Sequence, residues 1–283
     1  MQLTPIAVKL KHIWLGAHGV SDNNHKTACG NIHFYQARGQ GRLPQIVFLH
    51  GLASNAAVFG SCMTRLMRTC RMVTAPDYPG HGNSSPPPGV PDVESVYQGL
   101  CEFLDANIDD KAVLVGNSMG GAMALRYHLD RPGKTSALVL ISPGGAQMDA
   151  GELSTLKSGF PSTTSKQAMD FMQRLYCKMP WYAGFIANDV LRAFSSKTVR
   201  GILDSLHAAH HVSPEELARI SVPVMLMWGR CDRVMPEEHF EYFSHNLKRP
   251  LKISRPSHVG HCPQLEDPGL VCREIEDFLA NVT

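Results

Sequence analysis

The chain has 283 residues, of which 43% are hydrophobic and 18% are charged, and its formal net charge is +2. This length fits one large domain, or a core with a smaller insertion, and the composition excludes a disordered chain. The small net charge gives no electrostatic reason to expect nucleic acid as a partner. The apolar runs are no longer than strands, so no integral membrane segment is predicted.

The first part of the chain, MQLTPIAVKLKHIWLGAHG, has lysines and a histidine where a signal peptide needs an unbroken apolar stretch. A cytoplasmic location is therefore expected. Residues 7–15 and 31–38 alternate between polar and apolar side chains. This alternation predicts strands that form an antiparallel start to a sheet.

Short apolar runs recur along the rest of the chain, each bounded by turn residues. The runs lie at 45–49, 72–75, 112–115, 137–141, 222–228 and, more weakly, 251–254. Because they are apolar throughout, they are predicted as strands covered on both faces. Helical patterns separate them, at 55–69, 93–107, 120–129, 237–247 and 270–282. The alternation predicts an α/β protein with a mostly parallel, eight-stranded sheet flanked by helices.

Residues 148–213 interrupt the alternation of strands and helices, because they contain no convincing strand pattern. Three helix-like segments lie there, at 165–176, 181–195 and 198–210. We predict a helical cap at 148–213, inserted into a core formed by 1–147 and 214–283. Ordinary helices that pack on the core are the alternative.

The pentapeptide GNSMG at 116–120 follows a predicted buried strand and precedes a predicted helix. That is the context in which G-x-S-x-G presents a nucleophile on a sharp turn, with the glycines relieving the crowding. The alternative is a Gly-rich turn in which Ser118 caps the helix. A serine nucleophile also needs a base, and the base needs an acid to orient it.

Candidates for the acid and the base follow two later strands, in the chain order Ser, Asp, His. Asp232 lies in the loop after 222–228, where its carboxylate can reach a histidine, although it could instead cap the next helix. Two histidines, His258 and His261, follow the strand at 251–254. His261 is favoured as the base because it follows a glycine and precedes a proline turn.

A backbone oxyanion hole is predicted from the N–H groups of Leu52 and Met119. Leu52 follows the strand at 45–49 in the sequence HGL, where the glycine lets the backbone approach a substrate. The preceding His50 is expected to hold this loop by hydrogen bonds. The side chains predicted to border the substrate pocket are Asn117, His50, Trp181 and Phe185.

Five segments occur in the order of the landmarks of one known family: FLHGLASN, DYPGHGNSS, LVGNSMGG, PVMLMWGRCDRVMP and GHCPQLEDP. Over nearly its whole length the chain resembles serine hydrolases of the α/β-hydrolase fold. The resemblance implies that Ser118 is the nucleophile, Asp232 the acid and His261 the base of a two-step acyl transfer. No cofactor and no metal are expected.

Two groups within that family fit less well. Members with an aspartate nucleophile are disfavoured because position 118 is serine. Members of the peroxidase type usually have a tryptophan beside the catalytic serine, where this chain has Asn117 and Met119.

The expected partner is a small hydrophobic ester, because the predicted cap is rich in methionine and aromatic residues. The chain resembles monoacylglycerol-lipase-like esterases, which suggests a carboxylesterase or small lipase. Hydrolases of meta-cleavage products, which break carbon–carbon bonds, are the second hypothesis. They usually have a tryptophan where this chain has Cys262, and a cap arginine for which Arg174 and Arg192 are candidates. A ligand-binding member of the fold without catalysis is the third, and a homo-oligomer is left open.

Eight cysteines show no CxxC pair and no spacing typical of a metal site. They are Cys29, Cys62, Cys70, Cys101, Cys177, Cys231, Cys262 and Cys272. Most are predicted to be small buried hydrophobic residues. Neither a disulfide framework nor a zinc site is expected.

Overall fold

A computed structural model describes residues 3–248 and 251–282, built around one sheet of eight strands. The strands are β1 (Ser21–Thr27), β2 (Gly30–Arg38), β3 (Gln45–Leu49), β4 (Met72–Pro76), β5 (Ala112–Asn117), β6 (Thr135–Ile141), β7 (Val224–Met227) and β8 (Leu251–Ser254). Their spatial order is β1-β2-β4-β3-β5-β6-β7-β8. Strand β2 runs antiparallel to both β1 and β4, and the remaining neighbours are parallel. The predicted fold class is confirmed.

Helices cover both faces of this sheet and also fill a long connection between β6 and β7. They are α1 (Leu3–Ala17), α2 (Gly60–Leu66), α3 (Val93–Asn107), α4 (Met119–Asp130), α5 (Ala150–Ser158), α6 (Ser165–Leu175), α7 (Ala183–Phe194), α8 (Lys197–Ser205), α9 (Pro214–Ala218), α10 (Glu237–Asn246), α11 (Pro263–Glu266) and α12 (Pro268–Ala280). Short 3₁₀ turns occur at Ala56–Phe59, Pro132–Lys134 and Ala208–His210.

Strand β5 shows why the apolar runs are continuous. Leu114 packs in a core layer with side chains of α3, α4 and α10. Its neighbours Val113 and Val115 point to the other face, into a layer with α2 and α12. Both sets of side chains are removed from water, so no polar alternation is needed.

The start of the chain differs from the prediction at two places. Residues 7–15 lie in helix α1, so the strand predicted there is wrong. Strand β1 was not predicted, because its sequence SDNNHKT has no apolar run. It pairs along one edge of β2 and is exposed or half-buried throughout, so its residues need not be apolar.

The connection between β6 and β7 contains helices and no strand, and all of its residues are described. Helices α6 and α7 pack on each other through side chains such as Met172 and Ala187. A second cluster, around Phe171 and Phe194, contacts Leu52 and Val234 in loops after β3 and β7. This contact lies at the carboxyl ends of the strands, and we propose that residues 148–213 form a cap there.

One disulfide corrects the expectation for the cysteines. Cys177, which follows α6, is bonded to Cys231, which follows β7. The pair is 54 residues apart in sequence, so only the contact between these two loops brings it together. Five of the six free cysteines are buried, as predicted, and Cys262 is partly buried.

No helix in the described ranges is long and apolar enough to cross a membrane. Across the same ranges, no group of three or more His, Cys, Asp or Glu side chains is arranged to hold a metal ion.

Candidate active site

Ser118 lies on the turn between β5 and α4, with φ 56° and ψ −120°. A non-glycine residue in such a conformation costs of order 1–3 kcal/mol, so the surrounding structure must hold it there. A Cβ on Gly116 would lie 2.2 Å from the carbonyl oxygen of Gly120, and a Cβ on Gly120 would lie 2.1 Å from that of Leu49. Only glycine fits at either position. The Ser118 side chain makes no capping hydrogen bond to α4, which argues against the helix-cap alternative.

The backbone N–H groups of Leu52 and Met119, beside Ser118, have no acceptor within the described structure. Met119 is the first residue of α4, so its N–H points out of the positive end of the helix dipole. The loop of Leu52 approaches closely, because a Cβ on Gly51 would lie 3.4 Å from Cβ of Ser118. Both N–H groups are therefore free to bind an oxyanion.

The side chains of His261 and Asp232 form a buried pair, with Nδ1 of His261 2.8 Å from Oδ2 of Asp232. The other carboxylate oxygen, Oδ1, accepts hydrogen bonds from the N–H groups of Val234 (2.8 Å) and Met235 (3.1 Å). Burial raises the pKa of Asp232, but the interaction with His261 and the hydrogen bond from Val234 N–H together hold the pKa below its ordinary value. The ionised carboxylate thus fixes a proton on Nδ1 and leaves Nε2 available as a base.

Asn117 links this pair to the turn that carries Ser118. Its Nδ2 donates to the carbonyl oxygens of His261 (2.9 Å) and Ile141 (3.1 Å), and its Oδ1 accepts from Nε2 of Gln264 (2.9 Å). The Ser118 hydroxyl makes no hydrogen bond to His261 in this structure. Such bonds are often long in unliganded sites and shorten when substrate binds.

His258, the alternative candidate for the base, lies away from Asp232. The side chain of His258 is 60% exposed, and its Nε2 is 3.3 Å from Asp267 rather than near Asp232. The geometry therefore favours His261, and not His258, as the candidate base.

A cavity of about 390 Å³ opens beside Ser118, and Leu52 and Met119 are also in its wall. The wall is mostly apolar, with Val93, Tyr97, Met123, Met148, Leu156, Phe160, Ile202, Leu203, Leu206, Val212 and Met235. Its charged and histidine side chains are Glu94, Arg126, Asp130, His210 and His211. The cavity is a hydrophobic pocket with a polar end.

The cavity runs along one face of helix α4. The residues of α4 that line it are Met119, Ala122, Met123, Arg126 and Asp130, which lie on one helix face. At the usual rise of 1.5 Å per residue, this face is about 16 Å long. Along this face the apolar residues Met119, Ala122 and Met123 are nearest to Ser118 in the helix, and the charged residues Arg126 and Asp130 lie at the far end.

The four side chains predicted for the pocket do not line this cavity. Asn117 is turned toward His261, and His50 is buried, with Nδ1 donating to Gly51 O and Nε2 accepting from Tyr78 N–H. Burial lowers the pKa of His50, so its ring is neutral and can make both bonds. Trp181 and Phe185 lie on the outer surface, 87% and 64% exposed.

A buried ion pair holds the loops that follow β3 and β4. Asp77 accepts hydrogen bonds from His33 Nδ1 (2.7 Å) and from the N–H groups of Ala56 (2.6 Å) and Asn83 (2.9 Å). Burial raises the pKa of Asp77, but the bond from His33 and the backbone N–H groups hold it below its ordinary value of 3.8. A carboxyl whose pKa is lowered on folding stabilises the fold above its unfolded pKa, and this stabilisation is lost as pH falls through the folded pKa.

We therefore expect Asp77→Asn to lower the free energy of unfolding by about 3–5 kcal/mol at pH 7, because it breaks a buried pair. The variant should also lose less stability than the wild type as the pH falls below about 4. Urea unfolding followed by circular dichroism from pH 3 to 7 measures both effects. Asp109→Asn, at an exposed position, is the matched control. An Asp77→Asn curve parallel to that of the wild type would contradict this role.

A family model for the alpha/beta hydrolase family matches residues 46–274 of this chain. A pimeloyl-(acyl-carrier protein) methyl ester esterase of Neisseria meningitidis serogroup C is 27% identical over 250 residues, covering 84% of this chain and 94% of that protein. Monoacylglycerol lipase abhd6-B of Xenopus laevis is 26% identical over 310 residues, covering 99% of this chain and 89% of that protein.

Among solved structures, a 2-hydroxy-6-oxo-6-phenylhexa-2,4-dienoate hydrolase from Rhodococcus sp. strain RHA1 superposes with a TM-score of 0.79. The match covers 92% of this chain and 99% of that chain, at 22% sequence identity. Likeness at this level of identity shows a shared fold.

Proposed function

The chain belongs to the alpha/beta hydrolase family, and we propose that it is a serine hydrolase of carboxylic esters with hydrophobic acyl or alcohol groups. The observation that carries the proposal is the setting of Ser118, a strained serine in the wall of an apolar cavity. Two free N–H groups lie beside it, and a buried His261–Asp232 pair is anchored to the preceding residue. Esterases and a lipase among the relatives support ester hydrolysis.

In the proposed reaction, Nε2 of His261 removes the Ser118 hydroxyl proton as Oγ attacks the ester carbonyl carbon. The N–H groups of Leu52 and Met119 stabilise the oxyanion that forms. Protonated His261 then gives its proton to the leaving alcohol. Water, deprotonated by His261, attacks the acyl-enzyme, and the carboxylic acid leaves as Ser118 regains its proton. Ionised Asp232 stabilises the imidazolium in both halves.

The cavity suggests which substrates are favoured. Most of its wall is apolar, with side chains such as Met123 and Leu203, so each methylene that enters gains about 0.8 kcal/mol from leaving water. Arg126, at the polar end, is already paired with Asp130 (3.4 Å) and Glu216 (2.9 Å), so it does not offer a free positive charge to an anionic substrate. A medium or long apolar chain fits this shape better than a short or charged one.

The candidate cap arginines for carbon–carbon hydrolysis do not line the cavity. Arg174 donates to the carbonyl oxygen of Gly159, and the half-exposed Arg192 pairs with the buried carboxylate of Asp189 within α7. Position 262 carries a thiol, and burial raises its pKa so that it stays neutral. These contacts favour ester hydrolysis over cleavage of a dienoate.

The test is a series of p-nitrophenyl esters from acetate to dodecanoate, run beside a meta-cleavage dienoate. We expect kcat/KM to rise with chain length, because each added methylene is buried along α4. Ala122→Leu, which fills the cavity about a quarter of the way along that face from Met119, should lower kcat/KM for the dodecanoate at least tenfold, about 1.4 kcal/mol, and for the acetate much less. Ala280→Leu, on the exposed end of α12, is the control. Turnover of the dienoate alone would replace the proposal with carbon–carbon hydrolysis.

A further inference from the structure

Helix α1 has an uncovered apolar face on a helix that is firmly attached. Leu10, Ile13 and Trp14 are 62%, 58% and 36% exposed, and their spacing places them on one side. The opposite side is fixed, since Leu15 is fully buried in the core and Lys11 Nζ donates to Ser61 at 3.0 Å. Exposed apolar side chains grouped in this way are typical of surfaces that bind another protein, a membrane or a ligand.

A basic pocket lies directly beside this face. It has a volume of about 490 Å³, and its wall includes Trp14 of α1, Arg65 of α2, Arg68 of the turn after α2, and Arg273 of α12. None of these arginines forms an ion pair with a described carboxylate. Two of them converge, because a Cβ on Gly269 would lie 3.3 Å from Nη1 of Arg273 and 4.0 Å from Nη1 of Arg65.

Carboxylates near these arginines offset only part of their charge. Asp267 Oδ1 lies 3.3 Å from the same Cβ position on Gly269, but it accepts a hydrogen bond from Leu270 N–H at 2.8 Å, and this bond, helped by the charge of Arg273, lowers the pKa of Asp267. The one carboxylate in its described wall, Glu276, accepts a hydrogen bond from Thr69 Oγ1 at 2.9 Å. Hydroxyls of Ser61 and Thr64 and the ring of His18 complete the wall. Unpaired guanidinium groups with hydroxyls suit a phosphate, which they can bind through several N–H groups at once.

Trp14 joins the two features, since it belongs both to the bare face of α1 and to the pocket wall. Nζ of Lys11 lies 4.1 Å from the centre of its ring. Tryptophan beside basic groups is typical of the boundary between lipid head groups and acyl chains. A single amphiphilic ligand, with a phosphate and an apolar chain, would satisfy both the pocket and the helix face.

We propose that α1 and the arginine pocket, formed by Arg65, Arg68 and Arg273, dock this protein on a bilayer that contains anionic phospholipid. The lipid phosphate binds in the pocket, and Leu10 and Ile13 enter the outer acyl layer. Helix α1 also packs against α7, so the cap is attached to the docked helix. The surface is separate from Ser118, and its binding does not depend on the proposed reaction.

The test is co-sedimentation with vesicles of phosphatidylcholine alone or mixed with phosphatidylglycerol, using wild-type protein and Ser118→Ala. We expect both proteins to bind the mixed vesicles at least tenfold more strongly than the neutral ones, and added salt to weaken this binding. The double variant Leu10→Asp/Ile13→Asp and the triple variant Arg65→Gln/Arg68→Gln/Arg273→Gln should each lose at least tenfold in binding. Val90→Asp, at a residue that is 86% exposed on another loop, should bind like the wild type.

All of these variants except Ser118→Ala should hydrolyse a short soluble ester at the wild-type rate, which shows that they are folded. Equal binding of the wild type to both vesicle types would overturn the proposal. So would unchanged vesicle binding in the triple variant, or binding of inorganic phosphate by a protein that does not sediment with mixed vesicles. Because Ser118→Ala is included, loss of hydrolysis and loss of docking are measured independently.

Discussion

Ser118→Ala is expected to lower kcat for a p-nitrophenyl ester by about a million-fold, the loss measured for the nucleophile of subtilisin. The alanine variant keeps the strained turn, the free N–H groups and the apolar cavity, but it has no oxygen to form the acyl-enzyme. Any residual rate would come from binding and oxyanion stabilisation alone. Initial rates with a stopped assay, over days for the variant, give the ratio.

Ser154→Ala is the matched control, because Ser154 is an exposed serine on α5 and does not line the cavity. It should keep wild-type kcat and KM. Thermal unfolding of both variants checks that the fold is intact. A Ser118→Ala enzyme with more than a tenth of the wild-type rate would show that another group attacks the ester.

His261→Ala should be about as damaging as loss of Ser118, since without the base the hydroxyl is a weak nucleophile. Asp232→Asn should cost roughly ten-thousand-fold in kcat, because an amide in place of the carboxylate favours the wrong tautomer of the histidine. A smaller loss for Asp232→Asn than for His261→Ala fits the geometry, in which Asp232 acts only through its hydrogen bond to Nδ1 of His261 (2.8 Å) and is itself held by two backbone N–H groups. The readout is kcat with one ester, at saturating concentration.

His258→Ala is the control for this pair, because it removes a histidine only three positions away whose partner is Asp267. It should retain nearly full activity. The assignment fails if His258→Ala is inactive while His261→Ala still turns over the ester. The double variant Ser118→Ala/His261→Ala should be no slower than either single variant, since the two residues act as one unit.

The sheet and the turn at Ser118 were predictable from sequence because their physical requirements are local. A strand buried on both faces must be apolar throughout, as in β5, and a crowded turn must have glycine at 116 and 120. Asp232 and His261 were predicted as the acid and the base because each lies in the loop after a predicted strand, in the chain order Ser, Asp, His. Their contact at 2.8 Å is a consequence of adjacent strand ends in a parallel sheet.

The pocket was not predictable in the same way. Its wall comes from several helices, and residues such as Met123 and Leu203 have the same sequence pattern as core side chains. The prediction therefore selected exposed-looking aromatic residues, and Trp181 and Phe185 lie outside the cavity. Asn117 was placed in the pocket from its position beside Ser118, whereas its amide is bonded to His261 and Gln264.

The sequence predictions for β1, α1 and the disulfide failed for physical reasons. Strand β1 is held by backbone bonds to β2 and needs no apolar pattern. Helix α1 has apolar residues on two sides, one in the core and one bare, which obscures its helical period. The Cys177–Cys231 bond depends on where the loop after α6 meets the loop after β7, which spacing along the chain does not encode.

The site of covalent modification by a fluorophosphonate, located by peptide mass spectrometry, tests directly whether Ser118 is the nucleophile. We expect one adduct per chain, on Ser118, which forms quickly in the wild type and slowly in His261→Ala. Ser118→Ala should carry no adduct. An unmodified Ser118 in protein that still hydrolyses esters, or equal labelling of Ser118→Ala, would show that Ser118 is not the nucleophile.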